Sequence, residues 1–223
     1  MHFLSHYYTE GSHQHPLYTA ALILPDLTRG FTKIYNSVIV KTDKPETDSI
    51  LQVHNGILAH FAGDKKFHSS VYFAEANAFA IQSFIGEGLS REKYRHSVLA
   101  HLVVEMLIDA QILHLHPEVG HNFYEALSNA GEKELMKYFE HFGLREHGNG
   151  FLAKLRGFQK SKFLFMLKEN EKVLFGLEKI YESATGIGFE TSDKGKFLKA
   201  INNIDENVRY CWENLLDLNS MNE

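Results

Sequence analysis

"SREKYRHSVLAHLVVEMLIDAQILHLHPEVG", residues 90–120, decides the fold class. Leu99, Leu102, Val103, Val104, Leu107 and Ile108 flank His101, Glu105 and Asp109, which fall at i, i+4 and i+8 and so share one line of a helix. Apolar residues on both sides of a polar line imply a mostly buried helix, because a solvent-facing helix carries a single apolar stripe. Ser90 is the expected N-cap, and Pro117 and Gly120 the expected stop.

The flanking sequence extends the helical pattern. Apolar residues recur at Ile50, Leu51, Ile57, Leu58 and Phe61, and "HPLYTAALILPDLTRGFTKIY" predicts a short helix broken near Pro25, which places Asp26 at the break. Three later segments, "HNFYEALSNAGEKELMKYFEHFG", "FLAKLRGFQKSKFLFMLKENEKVLFGLEKIYESATG" and "KGKFLKAINNIDENVRYCWENLLDLNS", supply further helices separated by glycine-bearing loops. "NSVIVKT", residues 36–42, is the one candidate strand. The expectation is an all-α protein.

Composition bounds the function classes. The chain has 223 residues, 44% of them hydrophobic, enough for a substantial core. A formal charge of -5 and a pI near 6.3 give no general attraction to nucleic acid or an anionic membrane, so neither is expected as a partner. A single cysteine, Cys211, excludes a disulfide framework or a thiolate metal site within one chain. "MHFLSHYYTEGSH" lacks the basic start and apolar centre of a signal peptide, and no uninterrupted run approaches the ~18 apolar residues of a span. A cytoplasmic protein is expected. The sequence leaves its oligomeric state open.

Histidine stands out, with fourteen in the chain and none after His147. In "GILAHFAGDKKFH", residues 56–68, His60, Asp64 and His68 again fall four apart within an apolar helical run. A buried face of this kind needs partners or a metal to offset the desolvation of imidazole and carboxylate. His60 with Asp64, and His101 with Glu105, can present nitrogen and oxygen to one shared point, as helical metalloproteins do for divalent ions. The plainer alternative is a buried histidine–carboxylate hydrogen bond on each helix.

"MHFLSHYY", "ALILPDLTRG" and "GILAHFAGD", in that order and spacing, resemble the acyl-carrier-protein phosphodiesterase family, relatives of the HD-type metal hydrolases. His6, Asp26, His60 and Asp64 occupy the positions matching that family's motif. The similarity spans roughly residues 1 to 190, with its specific motifs within the first 64. Two departures bear on substrate contacts. Phe61 and Ala62 follow His60 where the family carries basic residues, and His68 stands where it has a second aspartate. The resemblance implies a multi-helix HD-like bundle forming one domain over 1–223. Relative to the family, an insertion-like segment lies near 121–150 and a C-terminal helical extension near 190–223. It also implies a divalent metal ion, with manganese, zinc and iron as candidates, and hydrolysis of a phosphodiester such as the phosphopantetheine link of acyl carrier protein.

The residue types suit that chemistry. A phosphodiester's own charge repels nucleophiles, and a metal ion both screens that charge and activates water. His6, Asp26, His60, Asp64, His101 and Glu105 are the candidate ligands. His68, His96 and Asp109 are candidates for proton transfer, and Lys65, Lys66, Arg29 and Arg95 for clamping phosphate. Acyl carrier proteins are acidic, so docking would need a local basic face on this net-negative chain. Lys154, Arg156, Lys160 and Lys162, interleaved with Phe151, Phe158, Phe163 and Phe165, form one candidate; an amphipathic helix with a solvated basic face is the alternative. The competing functional class is a non-catalytic helical ligand-binding or scaffolding protein that retains the fold.

Overall fold

A computed structural model describes residues 2–10, 15–28, 30–41 and 47–216, and every regular element among them is helical. In chain order these are α1 (Phe3–Glu10), α2 (Pro16–Leu22), α3 (Leu24–Leu27), α4 (Phe31–Ser37), α5 (Asp48–His68) and α6 (Val71–Gly86). There follow α7 (His96–Leu115), α8 (Pro117–Asn129), α9 (Glu132–His141), α10 (Arg145–Ser161), α11 (Asn170–Thr185) and α12 (Lys194–Leu215). Arg29, Thr42 and residues 217–223 of the expected C-terminal extension lie outside the described residues.

The contacts divide the chain into two units. The first comprises residues 1–2, 66–116 and 164–223, and its centre is α7. Leu99, Val103, Val104, Leu107 and Ile108 are wholly buried there, and α6, α11 and α12 pack around the helix. α7 is long and apolar enough to cross a membrane, with a mean hydropathy of 1.6, but 72% of that window is buried within the protein, as befits a core helix. α12 buries Phe197, Ile201, Ile204, Val208 and Trp212, a stripe at helical spacing. The segment resembling an extension therefore supplies a core wall of this unit. The Phe197 ring stacks on Phe189 with centroids 3.9 Å apart.

Ser90 does not cap α7. Its backbone carbonyl and hydroxyl serve a turn, bonding the amides of Tyr94 and Glu92, and the helix starts only after Arg95. Distant partners hold that turn: the Tyr94 hydroxyl donates to Asp193 and the Tyr181 hydroxyl accepts from the Arg95 amide. At the other end Pro117 opens α8, where a missing amide donor costs nothing, and Gly120 is buried within that helix.

The second unit comprises residues 3–65 and 117–163. α2 packs on α8, α1 and α10 also meet α8, and α9 packs on α10. Phe123, Tyr138 and Phe139 are fully buried, so the insertion-like segment forms much of this unit's interior. The break near Pro25 falls at Ile23, between α2 and α3, and puts Asp26 in the single turn of α3. The expected strand is absent: Asn36 and Ser37 end α4, and a 3-10 turn covers Ile39–Lys41. β-branched residues favour a strand only where a partner completes the ladder, and no strand occurs among the described residues. On α5, Ile50 and Ile57 are buried, Phe61 is half-buried, and Leu51 and Leu58 are exposed, so only part of the expected apolar set faces inward.

One glycine positions this unit's site. A Cβ on Gly56 of α5 would lie 2.4 Å from the Tyr18 carbonyl oxygen and 2.7 Å from the Ala21 Cβ. Only glycine permits α5 to approach α2 this closely, and His60 lies one turn further along.

Candidate metal centre

His60 is buried, and its Nδ1 sits 2.7 Å from the Leu22 carbonyl oxygen at the end of α2. A carbonyl only accepts, so Nδ1 carries the proton and neutral His60 directs the Nε2 lone pair elsewhere. Nε2 is 3.3 Å from Asp64 Oδ2 and 3.8 Å from Asp26 Oδ1. His6 of α1, also buried, stacks on the His60 ring with centroids 4.2 Å apart. Its Nε2 makes no hydrogen bond of good geometry, although Asp64 Oδ1 is 3.2 Å away.

Asp64 thus offers one oxygen to each imidazole, and Asp26 approaches from α3. Ligand atoms of His6, Asp26 and His60 lie within 4.8 Å of one another. Bonds of about 2.0–2.2 Å from one ion to imidazole nitrogen and carboxylate oxygen put ligand atoms at most about 4.4 Å apart, so a small inward movement of these side chains would let them hold a divalent ion. The mixed nitrogen and oxygen set suits zinc, manganese or iron.

The electrostatics favour a cation. Burial holds His6 down at about 4, which leaves it neutral near pH 7. Burial also opposes charge on His60, but hydrogen bonding to Asp64 and the nearby Asp26 charge outweigh it and raise its pKa. Burial works against ionisation of Asp64 too, yet the adjacent imidazoles of His6 and His60 hold its carboxyl far below the usual range. Two carboxylates therefore face two imidazoles, of which His60 is drawn to bind a proton.

His101 and Glu105, expected beside His60, are brought together with His68 in the first unit. Nε2 of His101 and of His68 lie 3.3 and 3.5 Å from the same Glu105 oxygen, Oε1. Glu105 is buried; burial opposes its charge, but nearby positive groups, His101 among them, hold it down at about 2. Asp109 is fully buried and pairs with His2, whose Nδ1 is 2.7 Å from Asp109 Oδ2. His96 is buried at the start of α7 against Phe84, and burial lowers its pKa. Among the described residues, neither His96 nor Asp109 belongs to a group that could hold a metal ion. Lys65 and Arg95 are exposed.

Of the expected basic face, Lys154, Arg156, Lys160 and Lys162 are exposed, while Phe151 and Phe158 are buried. Arg156 forms two hydrogen bonds to Glu132, at 2.9 and 3.1 Å. Lys154 lines a shallow pocket of about 270 Å³ with Thr28, Glu146, His147 and Gly150. Sequence reasoning missed the Leu22 carbonyl and the steric role of Gly56. The glycine stood within the motif, but its clash partners are visible only in three dimensions. No family model matches the chain, and no curated protein or solved structure does.

Proposed function

We propose that the chain is a metal-dependent phosphodiester hydrolase, with His6, Asp26 and His60 holding a divalent ion. The observation that carries this is the convergence of two buried imidazoles with Asp26, together with the tautomer that the Leu22 carbonyl imposes on His60. A divalent ion bound there supplies charge screening for the phosphodiester and acidifies water. The Asp64 oxygens, 3.2 and 3.3 Å from the two Nε2 atoms, would add negative charge beside the ion and could accept a hydrogen bond from water bound to it. Asp26 is exposed, which leaves an approach for the scissile group. Lys154, at the pocket that Thr28 also lines, offers a positive charge for a substrate's second phosphate or an acidic partner.

The substrate proposed is the phosphopantetheine link of acyl carrier protein, handled in the cytoplasm. Support for it is the resemblance in residues 3–6, Asp26 and the Gly56-Ile57 to His60 and Asp64 motif. Hydrolysis of bis(p-nitrophenyl) phosphate after loading with manganese or zinc tests the chemistry. His60→Ala and Asp26→Asn should each lower kcat/KM by on the order of 100-fold with an unchanged circular dichroism spectrum. Activity that survives both substitutions would refute the assignment.

A further inference from the structure

We propose that His68, His101 and Glu105 form a second metal centre that takes its own zinc-like cation, as a two-histidine, one-carboxylate site. It is independent of the hydrolytic assignment above, because all three ligands belong to the first unit.

The geometry is the first argument. Two imidazole Nε2 atoms aim at one carboxylate oxygen, at 3.3 and 3.5 Å. Those distances exceed the roughly 2.9 Å of a good N–H···O bond. They match the edge of a coordination polyhedron instead: with bonds of about 2.0–2.1 Å, neighbouring ligands on a tetrahedral ion are roughly 3.3 Å apart. The His68 and His101 rings stack in near-parallel fashion, with centroids 4.7 Å apart and planes 22° apart. That arrangement disfavours charge on both rings and favours two neutral nitrogen ligands.

Local structure holds the ligands in place. His101 and Glu105 sit one turn apart on α7, whose apolar packing fixes its position. His68 is the last residue of α5, where the helix's negative end favours a cation. Phe73 meets both rings edge-on, at 4.8 Å from His68 and 5.4 Å from His101, and so limits their rotation.

The site is not closed. His101 also lines a shallow pocket of about 290 Å³ with Ser97, Val98 and Leu102. Three protein ligands with an accessible side leave a fourth position for water or a small anion, which is the pattern of reactive rather than purely structural zinc.

The test is zinc stoichiometry by mass spectrometry on the full chain, with cobalt(II) absorption as a probe of coordination. Wild type should bind two equivalents. His101→Ala and His68→Ala should each bind one, with on the order of 100-fold weaker affinity at the lost site. His60→Ala should lose the other equivalent, and His60→Ala with His101→Ala should lose both. Cobalt bands of tetrahedral intensity should persist in His60→Ala and disappear in His60→Ala with His101→Ala. One equivalent in the wild type, abolished by His60→Ala and His101→Ala alike, would mean a single ion and overturn this proposal while sparing the hydrolytic centre. Loss on His101→Ala with none on His60→Ala would sustain it and refute the other centre. Because His101 is partly exposed, an unchanged melting temperature in metal-free buffer checks that its variant folds.

Discussion

Nδ1 of His60 and the carbonyl oxygen of Leu22 are 2.7 Å apart, which ties an imidazole of α5 to the last residue of α2. This bond fixes which ring nitrogen is protonated and leaves Nε2 facing Asp26 and Asp64. It forms because Gly56, one turn earlier, lets the two helices approach without a Cβ between them.

Gly56→Ala should therefore damage both fold and site. The added methyl would lie 2.4 Å from a backbone oxygen that cannot rotate away. A loss of about 1–3 kcal/mol is expected from this overpacking, despite the better helix propensity of alanine. Urea denaturation gives the first quantity and metal titration the second. Unchanged stability would mean that α5 and α2 separate at no cost.

Metal binding should stabilise the native chain. At a free concentration ~100 times Kd, zinc or manganese should add about 2.7 kcal/mol per site, reversed by EDTA. His60→Ala should remove the contribution of its own site from the thermal shift. A melting temperature that ignores added metal would favour a binding or scaffolding protein over an enzyme.

Acid should release one tie in the first unit. Asp193 accepts from Lys196, Lys93 and Tyr94, and these bonds hold its carboxyl down at about 2. A depressed carboxylate pKa stabilises the fold above its unfolded value, near ~3.9, and that stability is lost as pH falls through the folded value. The difference in urea midpoint between wild type and Asp193→Asn should be constant above about pH 5 and shrink steadily toward pH 2. A difference independent of pH over that interval would show that the charge of Asp193 contributes nothing.

The helical class was legible because the residues around His101, Glu105 and Asp109 are apolar on both sides. The break before Asp26 was legible because proline is tolerated only in the first turn of a helix, and Pro25 stands in the first turn of α3. Other features depend on distant partners. Tyr94 is drawn to Asp193 and Phe197, so α7 starts later than Ser90 suggests. Residues 36–41 have strand propensity but, among the described residues, no strand to pair with. His68 looked like a proton shuttle beside Asp64 on one helix line, yet the fold sets its Nε2 against Glu105, a choice that no spacing rule contains. The helix over α12 was legible in the sequence, but the role of Phe197, Ile201 and Ile204 as a core wall required the fold.

A carrier-protein substrate should feel the exposed basic face of α10 and the residues after it. Arg156 is engaged with Glu132, which leaves Lys160 and Lys162 as the better positions to reverse. Lys160→Glu with Lys162→Glu should slow turnover of an acidic carrier substrate several-fold, mainly through association, and added salt should mimic the effect on wild type. A small chromogenic diester should be hydrolysed at the same rate. Equal losses on both substrates would assign these lysines to the fold or the site.

Anomalous diffraction at the metal edge, on crystals grown with manganese or zinc, tests the proposed hydrolytic centre most directly. A peak is expected about 2.0–2.3 Å from His6 Nε2, His60 Nε2 and an Asp26 oxygen. A fully loaded crystal with no anomalous density between those three side chains would contradict it.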